Sequence, residues 1–188
     1  MNTERLIKFI TEHANLSPGL ITDMEGRLKE EFYKTHQILH AAGQQENRIY
    51  FLEKGLIRNY YYDHHGNEHT VRFWEANDIL FSYQGYYAVP SYFYTEIIEA
   101  STLITLSYPA LHELDNMYPE IAELIKTMLL RNQQEEYEIQ KLITLPPEER
   151  FITLRTKKPN LFKKVPARIL ASYLHLTRET LTRYIARN

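Results

Sequence analysis

The chain's hydrophobic pattern turns from strand-like to helical at Tyr108-Pro109, and that change limits the folds open to it. Before it, from Leu28 to Ser107, short runs rich in Tyr, Phe, Ile, Val and Thr recur between turn signals. IYFLE precedes Lys54-Gly55, LIRNYYYD precedes His64-His65-Gly66-Asn67, and EHTVRFWE precedes Ala76-Asn77-Asp78; ILFSYQGYYA, YFYTEIIEA and TLITLSY follow. Residues 68–75 alternate, with His69, Val71 and Phe73 on one side and Thr70, Arg72 and Trp74 on the other. Short strands punctuated by turns predict an antiparallel sandwich or barrel. Ahead of this region, residues 3–14 read as an amphipathic helix carrying Leu6, Ile7, Phe9 and Ile10, broken by Ser17-Pro18-Gly19. A second short helix carries Leu20, Ile21 and Met24.

After Pro109 the pattern is helical. Ile121, Ile125, Met128, Asn132, Glu135, Ile139 and Leu142 fall at alternating spacings of four and three, a heptad seam with a polar interruption. At ~1.5 Å per residue, a helix from Pro119 to Ile143 spans roughly 37 Å, more than one small β-domain requires. The seam therefore predicts pairing with a second copy; the competing reading lays the helix back across its own domain. Leu145-Pro146-Pro147 ends it, and a helix over about 147–157 follows, stopped by Lys158-Pro159 and a turn.

Charge divides at the same place. Residues 1–145 hold 12 Lys+Arg against 21 Asp+Glu, whereas residues 146–188 hold 10 against 3. An acidic body with a basic end points to nucleic acid. The chain has no cysteine, which excludes disulfides, thiolate metal sites and cysteine nucleophiles. It shows neither an apolar run of membrane-spanning length nor an export leader, so a cytoplasmic location and no membrane partner are expected.

The basic end resolves into two short helices. Pro166 opens the first, with Ile169, Leu170, Ala171 and Leu174. Thr177 is placed to cap the second, which runs from Arg178. Ala171 supplies the small residue a helix–turn–helix needs at its crossing. Leu174 and Leu176 bracket the turn, and Leu181 and Ile185 anchor the second helix. Its outward face shows Arg178, Glu179, Thr182 and Arg183, side chains suited to donating to guanine and accepting from cytosine in a major groove. Arg168, Lys163, Lys164 and Arg187 are candidates for phosphate attraction. The alternative is a closed helical bundle with a solvated charged face.

The order β-roll, long helix, helix–turn–helix, together with Thr177-Arg178-Glu179-Thr180-Leu181-Thr182-Arg183, resembles the Crp/Fnr transcriptional regulators, relatives of the cyclic-AMP receptor protein. The stretch FLEKGLIRNYYYDHHGNEHTVRFWEANDIL, with turn glycines Gly55 and Gly66, is similar to that family's cyclic-nucleotide-binding β-roll. The resemblance implies an α+β fold: an N-terminal antiparallel, cupin-like β-roll over residues 1–116, a dimerisation helix over 117–145 and a DNA-binding helix–turn–helix over 146–188. It further implies base contacts from Arg178, Glu179 and Arg183, a phosphate contact from Thr177, and a homodimer, paired through residues 117–143, on a two-fold symmetric double-stranded DNA site. The family's nucleotide cassette carries a Gly-Glu pair and an Arg before Ser or Thr. The matching residues here are Ile79–Gly85 and Pro90–Thr95, which contain neither the Glu nor the Arg. A buried cyclic phosphate would lack its charge partner, so an effector other than cyclic AMP is expected. At the turn position usually held by Gly stands His175.

Two other clusters invite a role. Tyr83, Tyr86, Tyr87 and Tyr94 are candidates for lining a pocket for a small-molecule effector; the simpler reading is that aromatics fill the barrel. His64, His65 and His69, with Glu68, could suggest a cupin-type metal site, but neighbouring strand residues point to opposite faces, and turn histidines explain His64 and His65. No metal, cofactor or catalytic residue is assigned, and no enzyme activity is expected. The rival readings are a cyclic-nucleotide-binding-like module that docks on protein, and a cupin-type metalloenzyme.

Overall fold

The computed structural model describes residues 3–187. Helices α1 (Glu4–Thr11) and α2 (Pro18–Glu25) lead into a six-stranded antiparallel sheet: β1 (Lys29–Tyr33), β2 (Ile38–His40), β3 (Arg48–Tyr62), β4 (Glu68–Glu75), β5 (Ile79–Leu80) and β6 (Tyr94–Ser107). The strand order is β1-β6-β3-β4, with β2 also on β6 and β5 also on β3. Together with the helices this gives the expected α+β class. The long β3 bends where its register with β6 slips around Gly55, and the bend curls the sheet into a roll. Gly55 has φ 120°, and a Cβ there would lie 2.0 Å from the Ser101 hydroxyl, so only glycine fits.

The run 79–88 is not the strand its apolar texture suggests. Only Ile79 and Leu80 pair, and α3 (Tyr83–Tyr86) follows. Ser82 caps that helix by accepting from Gly85 N, and Gly85 lies where a Cβ would meet the Tyr108 ring. Local capping and close packing override strand propensity here.

Beyond the sheet come α4 (Tyr108–Met117), α5 (Glu120–Ile143), α6 (Pro147–Lys157), α7 (Pro159–Lys164), α8 (Ala167–Tyr173) and α9 (Arg178–Arg187). The helix α7 occupies the segment expected to be a turn. Three apolar cores follow. One packs α1, α2, α4 and the first half of α5 on the sheet face bearing Ile49, Phe51 and Ile104. A second fills the roll around Leu52, Ile57, Trp74, Ile97 and Leu103. A third builds α6–α9 onto the opposite sheet face through Leu56, Phe73 and Ile98.

These cores change the reading of the heptad seam. Ile121, Ile125 and Met128 enter the chain's own first core, and Ile139 and Leu142 pack on the third. The polar interruption is also used internally: Asn132 donates to Phe81 O at 3.2 Å, and Glu135 accepts from Arg72 Nη2 at 2.5 Å. The seam thus lies back on its own domain. The exposed apolar residues of α5 are instead Leu129, Leu130 and Tyr137.

In the last pair of helices, Ala171, Leu174 and Leu181 are buried as expected. Ile185 is 43 % exposed, and its anchoring role passes to Tyr184, which is buried against Phe151 with ring centroids 5.6 Å apart. His175 sits in the turn at φ 52°, a conformation unfavourable for a residue with a Cβ. His175→Gly is therefore expected to raise the melting temperature, and the β-branched His175→Val to lower stability by about 1–2 kcal/mol, measured by thermal unfolding.

Candidate DNA-reading surface and effector cavity

Thr177 caps α9: its hydroxyl accepts from Thr180 N at 3.2 Å. From that start Arg178, Glu179, Thr182, Arg183 and Arg187 all project to the exposed face. Thr182 donates to Arg178 O at 2.9 Å, and the Arg183 guanidinium lies 5.8 Å from the Tyr184 ring centre. Among the described residues, no acid forms an ion pair with Arg178, Arg183 or Arg187. The basic residues nearer the sheet are held differently. Arg168 Nη1 pairs with Glu68 Oε1 at 3.0 Å, and Lys164 Nζ pairs with Glu99 Oε2 at 2.6 Å. In this arrangement both bind the β-roll, while Lys163 stays exposed.

Glu68 belongs to a network that the sequence reading missed. Arg58, 2 % exposed, donates through Nε to Glu96 at 2.7 Å, through Nη1 to Glu68 at 2.7 Å, and through Nη1 to the Thr70 hydroxyl at 3.0 Å. Burial opposes the charge of this guanidinium, but the hydrogen bonds it donates to Glu68 and Glu96 outweigh that effect and raise its pKa. Beside the network, Ser172 of α8 donates to Glu68 O at 2.8 Å and accepts from Thr70 N at 2.9 Å. The helix–turn–helix is thereby docked on β4, the edge of the sheet. A lone Arg within the tyrosine-rich run LIRNYYYD was the available signal.

On the other face of the roll, β3, β4, β6, α3 and α5 enclose a cavity of about 550 Å³. Of the four tyrosines expected there, only Tyr83 lines it. Tyr86 packs among Phe81, Tyr108 and His112; Tyr87 lies against Tyr83 and Tyr86; Tyr94 stacks on Tyr60 on the other sheet face. Their side chains point elsewhere because α3 turns the backbone about 100° per residue, and because Thr95, not Tyr94, is the inward-facing residue of β6. Arg72 is the only lysine or arginine in the lining, with its guanidinium 3.5 Å from the centre of the Trp74 ring.

The histidines are dispersed. His69 Nε2 lies 2.9 Å from Asp63 Oδ2, while His64 and His65 lie against each other with ring centroids 3.8 Å apart. Among the described residues no group of three or more His, Asp or Glu is placed to hold a metal.

No protein-family sequence model and no curated protein sequence matches the chain. Solved structures do. FixK2 from Bradyrhizobium japonicum superposes with a TM-score of 0.75 at 16% identity, over 85% of this chain and 83% of that one. A regulator assigned to the Crp/Fnr family from Eubacterium rectale gives 0.72 at 14% identity, over 92% and 83%. The chain has the Crp/Fnr fold. The c-di-GMP-responsive global regulator CLP of Xanthomonas campestris shares it, with a TM-score of 0.68 at 13% identity over 91% of each chain. Among the described residues of this Crp/Fnr-fold chain no helix is long and apolar enough to cross a membrane.

Burial opposes the charge on Glu68, but hydrogen bonds and charge from Arg58, joined by Arg168, prevail and hold its carboxyl below the ordinary range. A depressed folded pKa contributes stability that is present above the unfolded value and lost as pH falls through the folded one. Glu68→Gln is expected to cost about 2 kcal/mol at pH 7, with the difference from wild type shrinking as pH drops below about 4. Denaturant titrations of both proteins across pH test this.

Proposed function

We propose that the chain is a homodimeric transcriptional regulator that reads double-stranded DNA through α9 and responds to a small molecule held in the β-roll cavity. The observation that carries this reading is the exposed face of α9, where Arg178, Glu179, Thr182 and Arg183 stand together on a capped helix at the start of its first turns. Arginine reads guanine O6 and N7 through two parallel hydrogen bonds, and the Glu179 carboxylate can accept from cytosine N4. Thr177 sits where a phosphate contact is expected, and Arg187 and Lys163 add sequence-independent attraction. In this reading the residues divide into a sensing unit (1–116), a pairing helix (117–145) and a DNA-reading unit (146–188). The neighbours described as regulators agree with the reading. Catalysis forms no part of it.

The pairing surface we assign differs from the heptad seam. Leu130 and Tyr137, seven residues apart on one face of α5 and 57 % and 61 % exposed, are apolar side chains available to a second copy, while the third exposed one, Leu129, borders the cavity. Two α9 helices must lie roughly 34 Å apart to enter successive major grooves. An effector acts by binding one arrangement of the paired helices better than another.

Passing sheared genomic DNA over the protein at about 150 mM salt, beside Arg178→Ala/Arg183→Ala, is expected to recover a two-fold symmetric sequence with wild type alone. Each arginine lost is expected to cost about 1–3 kcal/mol of base discrimination. Equal recovery by both proteins would overturn the assignment of α9. Separately, Leu130→Asp/Tyr137→Asp is expected to sediment as a folded monomer where wild type is a dimer, since both side chains are already exposed.

A further inference from the structure

Where α5 meets the helix–turn–helix there is a separate groove of about 290 Å³, at the small end of the volumes that hold small molecules. Its apolar lining comes from Phe73 of β4, Ile139 and Leu142 of α5, Leu145 just beyond α5, and Leu154 of α6. Tyr173 of α8 completes it, edge to face with Phe73. One polar group is set into this lining without a partner. Tyr173 is 5 % exposed, yet its hydroxyl makes no hydrogen bond among the described residues. Nor is that oxygen sealed in. The buried side-chain atoms that lack a partner are His40 Nδ1 and Arg72 Nε, so the Tyr173 hydroxyl keeps some surface, and the open space that Tyr173 borders is the groove. Burial pushes its pKa up to about 12, and it stays a neutral phenol able to donate and to accept. An unpartnered hydroxyl in such surroundings is unfavourable, and a hydrogen-bonding group brought into the groove would relieve it.

The charges along the groove are already matched. Arg72 pairs with Glu135 at 2.5 Å, Lys157 with Glu138 at 3.1 Å, and Lys158 with Glu75 at 3.1 Å. Lys141 stands at the exposed rim, where water solvates it. A charged group drawn inside would have to break one of these pairs or sit unpaired against apolar walls. An uncharged group does neither.

We infer that the groove is a second small-molecule site, which takes an uncharged, largely apolar aromatic bearing a single hydroxyl or ring N–H that hydrogen-bonds the Tyr173 hydroxyl. This site lies outside the β-roll cavity of the proposed function and does not depend on it, although Arg72 and Ile139 line both spaces. Its walls come from α5 as well as from α6 and α8, so an occupant bears on how closely the helix–turn–helix packs against α5.

Isothermal titration calorimetry of the full chain tests this by comparing naphthol with two charged analogues of similar size, naphthoate and naphthylmethylammonium. Naphthol is expected to bind one-to-one with a Kd of about 100 μM or tighter, and each ion about tenfold more weakly. Tyr173→Phe removes only the unpartnered hydroxyl, so the free variant is expected to keep the wild-type melting temperature while its affinity for naphthol falls about fivefold. Leu145→Trp, at a half-buried position of the lining, fills the groove and is expected to abolish naphthol binding. Should that variant not fold, Tyr173→Phe decides alone. Binding of either ion as tight as that of naphthol would overturn the uncharged ligand class. Absence of naphthol binding, or an affinity unchanged in Tyr173→Phe or in folded Leu145→Trp, would overturn the site. None of these results bears on the genomic DNA capture, which judges the DNA-reading assignment by itself.

Discussion

A fully buried guanidinium holds the two halves of this molecule in register. Arg58 lies under α8 on the outer sheet face, and an isolated cation there would be untenable. Glu96 from β6 and Glu68 from β4 make it tolerable, so the charge fixes three strands relative to one another. Glu68 then has an oxygen to share with Arg168, and its carbonyl receives the Ser172 hydroxyl. The placement of the helix–turn–helix is therefore written into a charge that cannot be left unpaired. Apolar contacts such as Phe73 on Tyr173, with ring centroids 4.9 Å apart, add adhesion but little direction. Removing any one member of the network costs more than replacing them together with apolar residues would, because it is the stranded partner that is expensive.

The second organising element is α5, which serves three surroundings along its length. Its first turns complete the core beneath α1 and α2, its middle forms a wall of the cavity, and its last turns meet the base of the helix–turn–helix. A rigid rod shared by a cavity and the helix–turn–helix can transmit a small rotation without any intervening chain of contacts. Arg72 sits where this matters: stacked on Trp74 inside the roll, it grips Glu135 on the rod. Burial lowers the pKa of Arg72, with Glu135 acting against that effect, which marks it as a costly group to keep at this position.

Much of the fold was legible from periodicity and punctuation. Prolines at 109, 119, 147 and 166 and the hydroxyl cap Thr177 lie at helix starts because each satisfies or dispenses with a free amide. The exposed side of α9 was readable from Leu181, although Tyr184 and not the expected Ile185 turns inward beside it. What the sequence hid was partnership across long separations. Nothing local says that Arg58 meets Glu96, thirty-eight positions on, or that Ser172 meets Glu68, a hundred and four back. The heptad seam misled for a related reason: an apolar stripe states that one face is covered, not by which chain. Tyr86, Tyr87 and Tyr94 misled because aromatic density marks a sheet without saying which of its faces is hollow.

The Ser172 contact has one more consequence. β4 ends the sheet, and the Thr70 N–H and Glu68 C=O that Ser172 satisfies are the groups a further strand would pair with. A single hydroxyl thus closes an edge that would otherwise be a template for any extended chain nearby. Swinging this helix–turn–helix head away would uncover that edge, so the head's freedom and the exposure of the sheet edge are coupled. A protein built this way gains by keeping its head tethered close, moving by slides and small rotations rather than by wide release.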